Sequence, residues 1–127
     1  MTHRAEIESL LSALYAARVK ADLDGVLACF SPDVAFRIVG SSHSRQISII
    51  AVGIAELRPW LAMMLKTFRL LDQEMASLII DQQNACAHWR ARVVSKITGA
   101  EVSTEFVDLV RVERGRIASY SELFLPY

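Results

Sequence analysis

The chain has 127 residues, 53% of them hydrophobic, with 14 basic and 14 acidic side chains and a formal net charge of zero. That length supports one domain with a real core rather than two, and the balanced charge argues against a strongly basic nucleic-acid binder. No apolar run approaches the roughly 20 residues of a membrane-spanning helix, and charges stand where a signal peptide would carry its apolar segment, so a cytoplasmic protein is expected.

Residues 4–20 predict a first helix. Ile7, Leu10, Leu11, Leu14 and Arg18 follow the helical repeat, with Tyr15 beside them. Asp22 is placed to cap a short second helix over 23–30. Residues 31–33 (SPD) read as a turn and 34–39 as a strand. Residues 40–44 read as a loop, and 46–52 as a short strand ended by Gly53. Residues 54–70 read as the longest helix, which Pro59 either starts near Arg58 or bends. Four strands follow, over 72–80, 84–96, 101–113 and 116–125. The gaps between them are short, so they form an antiparallel meander. Helices first and strands second make an α+β fold, a single domain over 1–127 with helices on one face of a curved antiparallel sheet.

The stretch 102–112, VSTEFVDLVRV, alternates with the period of a strand. Thr104, Phe106, Asp108, Val110 and Val112 share one face. A carboxylate on such an oily face is costly unless neutralised, paired or used. Asp108 reads either as an acid or base toward a ligand, or as a structural aspartate paired with Arg90, Arg92 or His88. Glu122 shares a face with Ala118, Tyr120 and Phe124, and reads as an acid–base partner or as an edge-exposed glutamate. His88, Arg90 and Arg92 share one face of their strand; Ala87, Trp89, Ala91 and Val93 share the other. A one-residue slip in the 98–100 turn reverses which set lies beside Asp108.

Cys29 and Cys86 stand far apart and read as two reduced buried thiols. His3 and His43 read as solvated. No spacing suits a metal site, no glycine-rich loop suits a phosphate, and no cofactor is expected.

The two N-terminal helices, the segment ADLDGVLACFSPDVAF, a helix opened by GIAE and a meander ending ERGRIASYSELF resemble the nuclear-transport-factor-2-like superfamily. The nearest branches are the SnoaL-like polyketide cyclases and the ketosteroid isomerases. The resemblance implies a cone in which the sheet wraps the long helix around a deep apolar pocket. It also implies a homodimer through the outer sheet face. Asp108 matches the protonated aspartic acid of the isomerases, and Tyr15 lies one residue from the position of their helical tyrosine. Their strand-borne carboxylate base falls at Ile38. In the related limonene-epoxide hydrolases, Glu122 and Arg90 fall near site positions, and a second carboxylate position holds Arg92. On that likeness the His88, Arg90 and Arg92 face is taken to look inward.

The resemblance therefore implies a pocket for a small apolar molecule bearing a carbonyl or epoxide. Asp108, Glu122, Arg90, His88 and Tyr15 would supply its chemistry. Phe36, Ile38, Trp60, Met64, Phe106 and Tyr120 would line it, in the company of Met63 and Phe68. The alternative, favoured by Ile38, is a non-catalytic ligand-binding or dimerisation domain of the same fold.

Overall fold

The structure, a computed structural model, describes residues 3–42 and 45–126. Helix α1 (His3–Val19) leads through a tight turn into α2 (Leu23–Leu27). Asp22 caps α2 by accepting the Gly25 amide hydrogen at 3.1 Å. Strands β1 (Phe30–Ser42) and β2 (Arg45–Val52) form the first hairpin. Helix α3 (Ile54–Thr67) follows, then β3 (Phe68–Asp81), β4 (Asn84–Ser95), β5 (Glu101–Glu113) and β6 (Arg116–Pro126). The six strands make one curved, unclosed sheet in the order β2-β1-β6-β5-β4-β3. All neighbours are antiparallel except β1 and β6, which run parallel, a pairing that the long connection through β2, α3 and β3 to β5 allows.

Some expectations need correcting. The longest helix is α1, with 17 residues against 14 for α3. Residues 31–33 form no separate turn; they lie within β1, at a register shift between Phe30 and Ala35. β1 also continues through residues 40–42 instead of opening into a loop. His43 lies outside the described residues. Pro59 does not start α3, because the helix begins at Ile54 after Gly53, whose φ of +83° only glycine adopts readily.

The concave face is filled mainly by α1, which buries Ile7, Leu11, Leu14, Tyr15 and Ala17, whereas α3 buries only Leu57 and Leu61. Part of the apolar surface at residues 54–70 lies outside the core. Trp60 is 40% exposed, and Met63 and Phe68 are exposed as well.

Register decides what faces inward. One inner row runs Ile49, Ile38, Glu122, Asp108, Ala87, Leu78 across the sheet. The next runs Gly40, Phe124, Phe106, Trp89, Met75. A Cβ on Gly40 would come within 2.4 Å of the Phe124 ring, so the glycine makes room for that aromatic. The turn between β5 and β6 places Arg114 and Gly115 at φ of +52° and +75°, the positive pair of a type I′ two-residue hairpin loop.

Candidate active site

Each member of the site is a polar residue on an apolar face. Arg18 and Tyr15 come from the inner stripe of α1, Trp89 from β4, Asp108 from β5, and Tyr120 and Glu122 from β6. Asp108 is fully buried and Glu122 is 2% exposed. One oxygen of Asp108, Oδ2, accepts three hydrogen bonds: from the Tyr120 hydroxyl at 2.5 Å, the Tyr15 hydroxyl at 2.6 Å and the Trp89 indole N–H at 2.7 Å. Its other oxygen, Oδ1, receives no donor among the described residues. Arg18 holds Glu122 with both terminal nitrogens, at 2.6 and 3.2 Å, and its Nη1 also donates to the Tyr120 oxygen at 3.2 Å. The Tyr120 oxygen lies 3.0 Å from Glu122 Oε2 as well, so it sits between the two acids.

The two carboxyls are cross-strand neighbours with opposite tendencies. Burial, with the negative charge of Glu122 and a hydrogen bond to it, pushes Asp108 well above the usual carboxylate range. Burial would raise Glu122 too, but Arg18 outweighs it and the group is lowered. Burial would weaken the charge on Arg18, and Glu122 overrides that, so Arg18 stays cationic. Tyr15 and Tyr120 are pushed up by burial and by the acids, and both remain phenols. One cation therefore faces two carboxyls that retain one proton between them.

Aromatic rings wall in this network. Trp89 stacks on Phe106 at 3.9 Å, Phe36 stacks on Tyr120 at 5.5 Å, and Tyr15 tilts against Trp89 at 5.3 Å. Arg18 lies 5.2 Å from the centre of the Trp89 ring, over its face.

Asp108, Glu122, Tyr15 and Tyr120 thus come together, with Phe36, Ile38 and Phe106 packed around them in the core. Met64 is half-buried against that core, while Trp60 stands at the surface.

His88 and Arg90 do not join them, which corrects the inward placement. Ala87 is the residue opposite Asp108, so Ala85, Ala87, Trp89 and Ala91 face in and His88, Arg90 and Arg92 face out. On the outer face His88 contacts Glu105 at 3.0 Å, Arg90 pairs with Glu74 and Glu105, and Arg92 pairs with Asp72 and Glu101.

Two residues were missed. Arg18 was the informative one: a charge within the stripe of Ile7, Leu11 and Leu14 carries the same signal as Asp108 within its strand. Trp89 gave itself away less, because an indole in a core strand is ordinary. Among the described residues no cluster of His, Cys, Asp and Glu could hold a metal ion, and no helix is long and apolar enough to cross a membrane. Both cysteines are free; Cys29 is buried and Cys86 half-buried on the outer face.

The family model described as a SnoaL-like domain matches residues 11–120. No curated protein sequence matches the chain. Among solved structures, a proposed isomerase from Bacillus subtilis superposes with a TM-score of 0.85 at 14% identity, covering 98% of this chain and 90% of that one. An epoxide hydrolase of M. tuberculosis described as LEH-like gives 0.75 at 15% identity, covering 95% and 84%. A proposed polyketide cyclase from Silicibacter sp. TM1040 gives 0.74 at 20% identity, covering 93% and 88%. At such identities the likeness is one of fold.

Proposed function

This chain belongs to the SnoaL-like domain family, and we propose that its buried acid pair is a cofactor-independent proton-transfer site. The substrate class is an apolar small molecule bearing a carbonyl or an epoxide. The observation that carries this reading is two neighbouring buried carboxyls in unlike settings, Glu122 held by the Arg18 cation and Asp108 by three neutral donors, which favours a charged Glu122 and a neutral Asp108. Pairs of acids pushed apart in this way divide the roles of base and acid between them.

In this reading Glu122, ionised beside Arg18, is the base. It takes a proton from carbon next to a carbonyl, or from a water attacking an epoxide. Asp108, neutral, is the acid and gives its proton to the developing oxyanion. Tyr15 and Tyr120 donate to the carboxylate that remains, which lowers the cost of the charge left behind. Arg18 takes the place that the sequence resemblance assigned to Arg90. Ile38, neighbour of Glu122 in the inner row, supplies apolar wall where the isomerases would carry a base.

The test is proton exchange. A panel of apolar cyclic ketones in D2O, followed by NMR, should show α-proton exchange with the native protein, and cyclohexene oxide should give the diol. Asp108→Asn and Glu122→Gln should each lose at least a hundredfold of either rate while keeping a native circular dichroism spectrum. Full retention of both rates in the variants would sink the reading.

One observation favours a second reading. Asp108 is fully buried and its Oδ2 is saturated by three protein donors. A network so closed also suits a non-catalytic domain in which the polar cluster pins α1 to the sheet. Absence of exchange across the panel, together with lost stability in the same variants, would favour it. In either case we propose a homodimer through the outer sheet face, where Ile50, Leu109, Leu123 and Leu125 are exposed.

A further inference from the structure

A cleft of about 430 Å³ opens between α1 and the edge strand β3. That volume falls within the roughly 300–1,000 Å³ of small-molecule sites. Another cavity, near His3 and Arg114, has only about 240 Å³. Ser12 and Ala16, one helical turn apart, present small side chains on the α1 side, with Val19 and Lys20 at the rim. Gln73 and Met75 supply the β3 side. They stand where β3 shifts register against β4, between Leu71 and Glu74 and again between Met75 and Ser77. Bulges of this kind re-aim side chains and are common beside sites. Val19 and Met75 are exposed apolar surface. Among the described residues lining the cleft, Lys20 alone carries a charge. Tyr15 is the shared wall: it lines the cleft and its hydroxyl donates to Asp108 at 2.6 Å.

We propose that this cleft binds an amphipathic small-molecule anion, its acidic group on Lys20 and its apolar body against Val19, Met75 and the Tyr15 ring. A single cation at the rim of an apolar trough complements a molecule with one anionic head and a greasy tail, and offers nothing to a polyanion. Tyr15 is what separates this cleft from the buried acid pair. Displacing the Tyr15 side chain from within the cleft would open Asp108 to a bound carbonyl, and this last step rests on the proton-transfer reading above.

Octanoate and octan-1-ol serve as probes, titrated into the isotopically labelled protein and followed by 1H–15N NMR. Octanoate should shift residues 12–20 and 73–75 and the Tyr15 ring. It should bind about fivefold more tightly than the alcohol, the size of a partly exposed ion pair. Lys20→Glu, a surface change, should reverse that preference. Ala16→Trp should abolish binding of both probes while keeping a dispersed native spectrum. Asp108→Asn should bind octanoate as the native protein does, so lost proton exchange with retained cleft binding would remove the reaction and leave the cleft. Shifts centred elsewhere, equal affinity for acid and alcohol, or indifference to both cleft substitutions would overturn the proposal.

Discussion

Asp108 and Glu122 sit directly opposite one another on β5 and β6, both sealed from solvent, with Arg18 on Glu122 and three neutral donors on Asp108. Two carboxylates at such range in a low-dielectric interior repel strongly, and one guanidinium offsets only one of them. The arrangement is stable because Asp108 keeps its proton. Stability, its pH dependence and the proposed chemistry all follow from that asymmetry.

Removing the cation should be costly. Arg18→Met keeps most of the side-chain volume and leaves Glu122 buried without a counter-charge. Urea denaturation at pH 7 should show a loss of about 3–5 kcal/mol. The loss should shrink toward pH 4, where protonation relieves Glu122. An undiminished loss at pH 4 would show that packing, and not charge, explains the effect.

The pH dependence of stability has a definite sign. Asp108 is raised on folding, so its contribution is complete below its ordinary value of 3.8 and is lost as pH rises through the raised value. Glu122 is lowered, so its contribution is present above its ordinary 4.5 and is lost as pH falls through the lowered value. Asp108→Asn mimics the neutral acid and removes the first slope only. Urea midpoints measured from pH 4 to 9 should therefore decline less steeply with pH in the variant than in the native protein. Equal slopes would mean that Asp108 folds as a carboxylate.

Gly40 tests the aromatic layer beside the site. A Cβ there meets the Phe124 ring, so Gly40→Ala should cost roughly 1–3 kcal/mol by overpacking. Adding Phe124→Ala should remove most of that extra cost. A double-mutant cycle with a coupling below about 0.5 kcal/mol would locate the strain elsewhere.

The outer face separates charge from association. His88→Ala and Arg90→Ala should each change stability by under about 1 kcal/mol, because both belong to half-exposed ion pairs. They should leave proton exchange intact. Leu109→Lys with Leu123→Lys should convert the proposed dimer to monomer in sedimentation velocity. A native protein that sediments as a monomer at every concentration would dispose of that interface.

Period-two alternation around Asp108, the helical stripe of α1 and the short gaps of the meander are local patterns, and they were enough to place the α+β architecture and to single out Asp108 and Glu122, while Tyr15 was suggested by the family resemblance. A polar side chain on an apolar face is visible without coordinates, and Arg18 carried that mark within its own stripe. What no local pattern contains is which strands meet and in what register. Ala87 and not His88 lies opposite Asp108, and that single offset sends His88, Arg90 and Arg92 to the outer face and Trp89 to the acid pair. Likewise, α1 rather than α3 fills the concavity, since the curvature of the sheet and the packing of both helices against it settle jointly which apolar stripe is buried. Long-range pairing brings Arg18 and Glu122 together from opposite ends of the chain, and their charges have meaning only after that closure.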